Sequence, residues 1–493
     1  MKNNITIKVL SAVPASGKTK AILKGLNGRK AIIASLSRQL STQSYNFYRY
    51  ECIGHNSVLI DTENTRGNGT VQNSIKHAID SVGYDVIFIT HAALFDLVFS
   101  EIENIEEYDL YIDETPDLID FNRYAFTSTL NDLLLEYCEP VDPTKRGLQR
   151  LIPIDSKIDE MINNAIDGYT GNDDVYKVIF PLYQALIKEI PVLIQFTENS
   201  TYCYYVNDKT YTEWERFKSI TVAASNFRDS FTGKVLKYIN GWDFEESDLV
   251  DNLDFKEYKN TDRITINVMA DVPWSRYTSE RLINGPRGMD TVYNRIKSRL
   301  YSSIKEDEFI YTSNSYRARL DKGLEVPYNP HGLNYYTDYK KAVVLFSYNP
   351  LPWQVPLLKS ISKSSGLPEN ELLDSYIVSK YLEPAFQLCA RTNIRDNDSL
   401  EPIDLYVPDF RLANYIKSKY FKNAKISTDL MLEISDKVES NRKPTFQTMF
   451  NMTKQEIYRF NYLRRVVRKF NIDDPVDVEY VREWITHQRE KHS

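Results

Sequence analysis

Short apolar runs, each ending in small or polar residues and followed by a helical pattern, dominate the first hundred residues. Ile5 to Leu10 alternates as a strand and gives way to Ser11-Ala12, after which a helical pattern starts at Thr19. Ala31 to Ala34 is a buried-strand run ending in Ser35-Leu36-Ser37, and Arg38 to Asn46 then carries helical spacing. Val86 to Ile89 ends in Thr90-His91, and Leu110 to Ile112 ends in Asp113-Glu114. Strands alternating with helices predict a parallel sheet covered by helices. In such sheets ligands collect at the carboxyl ends of the strands, where these polar residues fall.

From about Tyr124 the pattern changes. Helical spacing over Leu130–Tyr137, Lys157–Ile166 and Val175–Ile190 predicts an inserted, mostly helical subdomain over 124–216. A hairpin is expected within TYCYYVNDKTY, turning at Asn207-Asp208. The first sheet resumes at Ile220 to Ala223, so its domain is expected to span 1–123 and 217–260. A second alternating region, expected over 261–426, has strands at Ile264–Val268, Phe309–Tyr311 and Ala342–Phe346 and a helix over Thr291–Ile304. Pro350 to Pro384 reads as a further insertion or flap, and 427–493 as a helical, basic tail.

A chain of 493 residues exceeds what one core normally supports. Its 42% apolar and 26% charged residues are those of a globular protein, and no stretch is long and apolar enough to cross a bilayer. Net charge is −7, so any nucleic-acid surface must be local. The four cysteines lie far apart without a C-x-x-C, which disfavours a zinc or iron–sulfur site and suits a reducing, cytoplasmic setting.

The chemistry is concentrated in SAVPASGKTKA. From Ala12 the spacing is A-x-x-x-x-G-K-T between a strand and a helix, the pattern of a phosphate-binding loop. Ala12, Ala15, Ser16 and Gly17 let the main chain curl so that its N–H groups face phosphate oxygens. Lys18 reaches the β/γ-phosphates of ATP and the Thr19 hydroxyl ligates Mg²⁺. About 95 residues on, Asp113 and Glu114 close an apolar strand, supplying one carboxylate for the metal and one for the attacking water.

With these residues in view, the chain resembles the superfamily two helicases, particularly phage-encoded members, through most of its first 430 residues. Ala12–Thr19 is similar to motif I, Asp113-Glu114 to motif II, Ile32–Gln43 to motif Ia without its Pro-Thr pair, and Ile87–Phe95 to the Thr-His-x-x-Leu segment. Thr221–Phe227 stands at motif III, Phe309–Asn314 at motif IV, His331–Tyr339 at motif V and Ala385–Asp396 at motif VI. The resemblance implies two RecA-like α/β domains with ATP and Mg²⁺ between them. It implies nucleic-acid contacts from Ser35, Ser37, Gln43, Thr90, His91, Thr312, Ser313 and Asn314, with Gly332 and Asn334 near the nucleotide. Gln387, Arg391 and Arg395 are four apart, so on a helix they share a face. Two guanidinium groups across a cleft suit γ-phosphate stabilisation, although the family usually spaces its arginines three apart.

The expected activity is a nucleic-acid-stimulated ATPase that steps along one strand. Single-stranded DNA is favoured over RNA because motif II reads D-E-T-P. Replication or recombination proteins are expected partners, in the host cytoplasm if the chain is phage-encoded. A packaging-type ATPase and a nucleotide-dependent loading switch are the alternatives. The tail cluster of Lys454, Arg459, Arg464, Arg465, Arg468 and Lys469 with Tyr458, Phe460, Tyr462 and Phe470 reads either as a strand contact or as a packed stripe with a solvated face.

Overall fold

The computed structural model describes residues 5–52, 56–65, 69–126, 134–141, 148–163, 174–197, 200–208, 210–285, 288–304, 308–328, 336–434, 446–450, 452–467, 470–471 and 474–490. The chain opens with strands β1 (Thr6–Ser11), β2 (Ala31–Ser35), β3 (Ser57–Leu59), β4 (Val86–Thr90) and β5 (Asp109–Asp113). It leaves for β6 (Ile119–Phe126), β7 (Cys138–Pro140), β8 (Leu148–Pro153), β9 (Val192–Phe196) and β10 (Thr201–Asp208), then returns as β11 (Ser219–Ala224) and β12 (Asp243–Glu246). After these come β13 (Ile264–Val268), a two-stranded pair β14 (Leu282–Gly285) and β15 (Gly288–Thr291), and β16 (Ile310–Ser313). The series closes with β17 (Leu324–Glu325), β18 (Lys341–Leu345), β19 (Ile403–Val407) and β20 (Lys425–Ser427).

Two parallel sheets carry the molecule. The first has the order β12-β1-β11-β5-β2-β4-β3, and the second β17-β16-β18-β19-β13-β20. Both read as near-continuous apolar runs because helices bury both faces. Isoleucines of β2, β4 and β5 lie on one side with Trp214 and Phe217, while Leu10, Ile33, Phe88 and Tyr111 face Ile22 and Leu23 on the other. In the first sheet β11 separates β1 from β5, so the loop after β1 and the carboxylates after β5 end two strands apart on the same rim.

The insertion contains a five-stranded antiparallel sheet, β6-β10-β9-β8-β7, together with the helix Asp174–Ile187. The expected turn at Asn207-Asp208 does not form: Thr201 to Asp208 is one strand, paired along its whole length with β6. The reversal comes earlier, between β9 and β10, where Thr197 N–H donates to Ser200 O (2.9 Å). β-branched and aromatic residues on both sides of that short loop outweigh the Asn-Asp turn signal. One face of this sheet holds Cys203, Tyr205 and Ile194 over the insertion's own helix. The other packs Leu193, Tyr204 and Val206 against Leu357, Leu358, Leu372 and Tyr376 on the helices Gln354–Ser364 and Glu371–Ile377. The region over Pro350–Pro384 is therefore a helical buttress for the insertion.

By contacts, residues 1–281 with 291–432 form one unit and residues 282–290 with 433–493 another. In the second, Phe446, Phe460, Phe470, Val481 and Ile485 build a small core. Phe460 and Phe470 are thus packing residues, while Tyr462 is exposed. Among the described residues no helix is long and apolar enough to cross a membrane.

Candidate nucleotide site

Between β1 and the helix Lys18–Gly25, the loop turns through Ala15 (φ 66°) and Gly17 (φ 82°), both left-handed. A non-glycine residue held there is strained, and such strain persists where the surroundings over-determine it. No side chain caps the helix at Gly17, which leaves its first N–H groups without a side-chain acceptor at the cap. Ser16 is fully buried with its Oγ unpartnered. A side chain at Gly17 would also run into the Asp254 carboxylate, 2.7 Å from an ideal Cβ.

Lys18 Nζ donates to Ala12 O (2.9 Å) and Val13 O (3.0 Å). Burial lowers its pKa, opposed by Glu114, Asp113 and Glu383. Thr19 Oγ1 donates to Asp113 Oδ2 (2.7 Å), joining the helix start to the end of β5. The next residue, Glu114, has φ 73° and gives its N–H to Ala223 O (2.8 Å), so the chain kinks off the sheet there.

Lys18, Thr19, Asp113 and Glu114 share one cavity of about 440 Å³ with Gln387, Arg391 and Arg395 from the second half. The three are not on one helix, as spacing alone suggests. The helix Glu383–Cys389 ends before Arg391, and Arg395 sits in the short turn Asn393–Arg395. Thr392 is extended (ψ −172°) and its hydroxyl donates to Cys389 O (2.8 Å), which uses a carbonyl at the helix end and redirects the chain. Both arginines nevertheless line the cavity, with Arg395 Nε donating to Ala390 O (2.9 Å). Burial and the neighbouring Arg395 lower the Arg391 pKa to about 9, and burial lowers that of Arg395. Both remain cations at neutral pH.

The residues matching the strand-contacting motifs are divided. Ser35 is fully buried in register with Asp113, and His91 is buried under the sheet, so neither presents a surface to a strand. Burial holds the His91 imidazole neutral, its pKa lowered to about 4. Ser37 and Thr90 cap helices, accepting from Leu40 N–H (3.3 Å) and Ala93 N–H (3.2 Å). Gln43 lines the cavity of Lys18 and Asp113 instead. Thr312, Ser313 and Asn314 line a separate cavity at the end of β16. Gly332 and Asn334 lie outside the described residues; Thr337, five and three positions on, lines the same cavity as Lys18.

A polar bridge that no local pattern announces lies beside this cavity. Glu383 accepts from Tyr415 Oη and Tyr420 Oη (both 2.7 Å) and from the Ser225 hydroxyl at the end of β11. Gln387 Nε2 donates to Ser225 Oγ (3.4 Å), and Asn226 Nδ2 to Tyr415 Oη (2.9 Å). The segment joining the halves also straps the loop: Asp254 N–H donates to Ser16 O (3.0 Å) and Tyr258 Oη to Pro14 O (2.8 Å). Tyr258 packs on Phe386 and Phe421 of the second half.

Together these features define a phosphate-loop α/β fold with two RecA-like sheets facing one cavity. Neighbours of the chain among solved structures include XPD and DEAD box proteins. An XPD structure in its apo form is 12% identical, with 88% of this chain and 97% of that one covered and a TM-score of 0.44. Xpd4 of S. tokodaii is 12% identical, with 86% and 96% covered and a TM-score of 0.43. Dbp5 of S. cerevisiae, bound to RNA and ADP BeF3, is 10% identical, with 87% and 85% covered and a TM-score of 0.35. No family model and no curated protein matches the sequence.

Proposed function

We propose that the protein is an ATPase that steps along a single nucleic-acid strand, DNA in the first instance, by opening and closing the cleft between its two sheets. The observation that carries this reading is the single cavity shared by Lys18, Thr19, Asp113 and Glu114 with Gln387, Arg391 and Arg395. Its volume falls in the range of small-molecule sites. The left-handed Ala15 and Gly17, the orphaned Ser16 hydroxyl and the uncapped helix start suit a phosphate chain, which needs converging N–H and O–H donors. The Thr19 hydroxyl and Asp113 carboxylate are hard oxygen donors suited to Mg²⁺, which would neutralise charge on the phosphates when bound.

The protein's own residues then divide the work. Glu114 orients the attacking water from its kinked position. Lys18 leaves its carbonyl partners for the β/γ-phosphates. Arg391 and Arg395, desolvated and adjacent, gain most when negative charge enters between them, so a triphosphate draws the second half onto the first. Hydrolysis removes that bridge, and Gln387 relays the change through Ser225 to Glu383.

The deciding experiment titrates ATPase activity with single-stranded DNA, RNA and duplex, then follows unwinding of tailed substrates. Strand-stimulated turnover with unwinding or displacement supports the motor. ATP-dependent strand binding without movement would favour a loading switch, and ATPase activity indifferent to every nucleic acid would end the reading.

A further inference from the structure

The carboxyl rim of the second sheet carries a cavity that the nucleotide site does not use. It measures about 650 Å³ and lies where β16, β17 and β18 end, between Asn314, Arg319, Tyr328 and Tyr348. Apolar strands give way there to polar loops, the position at which open parallel sheets take their ligands.

Tyr348 is 45% exposed and packs against both Tyr328 (centroids 6.5 Å, planes 30° apart) and Tyr376 (6.4 Å, 55°). Tyr328 is itself fixed edge-on against Phe346 (5.0 Å, 80°) and donates its hydroxyl to Lys380 O. The loop bearing Tyr348 is pinned as well. Asn314 donates through Nδ2 to Ser347 O (3.1 Å) and accepts Ser347 N–H at Oδ1 (3.3 Å). At the mouth stands Arg319, its side chain 85% exposed and held 2.8 Å from Glu325. Tyr348 also borders the smaller cavity of about 210 Å³ that reaches Thr115 and Asn226 at the rim of the first sheet.

A half-exposed ring held by Tyr328 and Tyr376, beside an exposed guanidinium and between two cavities, fits a ligand that is planar, anionic and continuous. We propose that Tyr348 is a stacking platform for an unpaired base of a single nucleic-acid strand, with Arg319 meeting the adjoining phosphate. Every base has a π-face, so the contact is tolerant of sequence, as a stepping enzyme requires. A pre-ordered ring also loses little side-chain entropy on binding. The proposal rests on the strand-stepping reading and extends it to a particular contact.

The test uses the full-length protein with fluorescein-labelled oligo(dT), oligo(U) and a 2-aminopurine oligonucleotide, and a thermal unfolding midpoint to verify folding of each variant. Tyr348→Leu is expected to weaken strand binding about tenfold and to relieve quenching of 2-aminopurine, leaving the salt dependence of binding unchanged. Tyr348→Trp is expected to restore both signals. Arg319→Ala is expected to lower the slope of log affinity against log salt by about one. The two oligonucleotide arms report whether deoxyribose or ribose strands are taken. If folded Tyr348→Leu binds as tightly as the wild type with 2-aminopurine emission unchanged, the platform is overturned and the motor reading stands. If the wild type binds no strand at all, it is the motor reading that fails.

Discussion

The bridge centred on Glu383 makes a sharp prediction. Its carboxylate collects hydroxyl donors from Tyr415 and Tyr420 in its own half and from Ser225 in the first. Hydrogen bonds to a charged acceptor contribute about 1.5–3 kcal/mol, against about 1 kcal/mol for neutral pairs. Glu383→Gln keeps the shape but removes the charge and turns one accepting oxygen into an amide NH₂ that cannot accept, so it should destabilise the protein by about 3 kcal/mol. Ser225→Ala removes the bonds that its hydroxyl makes across the cleft, to Glu383 and from Gln387, and leaves those of Tyr415 and Tyr420 in place. It should leave stability within about 1 kcal/mol of wild type and weaken cleft closure about fivefold. Tyr420→Phe, which trims a donor that does not cross, serves as the control for a purely local effect. Urea unfolding measures the first quantity, and kcat and KM for ATP with saturating single-stranded DNA measure the second. If Ser225→Ala and Tyr420→Phe reduce strand-stimulated kcat equally, the bridge is only packing and the relay through Ser225 is refuted.

Other consequences follow from burial. Arg391 is desolvated beside Arg395, so replacing it with an apolar residue of similar length removes an unfavourable charge. Arg391→Met should raise the stability of the nucleotide-free protein by about 1–3 kcal/mol in urea titrations while abolishing turnover; a destabilised variant would contradict the electrostatic account. His91 carries a pKa lowered from 6.5 to about 4, so the folded state resists a proton that the unfolded chain accepts. Its contribution is complete above pH 6.5 and is lost as pH falls from there to about 4, a total of about 3 kcal/mol. Unfolding free energies at pH 7.5, 5.5 and 4.5 should therefore fall more steeply for the wild type than for His91→Gln.

The parallel sheets were legible because their strands are buried on both faces. Ala31–Ser35, Val86–Thr90, Asp109–Asp113 and Ile264–Val268 begin and end within a residue of the apolar runs. The insertion was less so: β7, at Cys138–Pro140, is three residues long and follows a helical run without a break in pattern. Within the site, local spacing located Lys18, Thr19, Asp113 and Glu114, since a loop and a strand end fix them. It failed for the helix carrying Gln387, where Thr392 breaks the period that placed Arg391 and Arg395 on one face. Glu383 and Ser225 left no signal, because their meeting depends on two sheets brought together across 158 positions of sequence. Gln43 shows the same limit, since its helix Arg38–Glu51 turns it toward the phosphate loop.

The most direct test compares nucleotide binding with single-turnover hydrolysis in Arg391→Ala, with saturating single-stranded DNA. A triphosphate held from both halves requires binding to stay within about threefold of the wild type while hydrolysis falls by about 10³ or more. Hydrolysis at the wild-type rate would show that the first half works alone and would contradict the shared site.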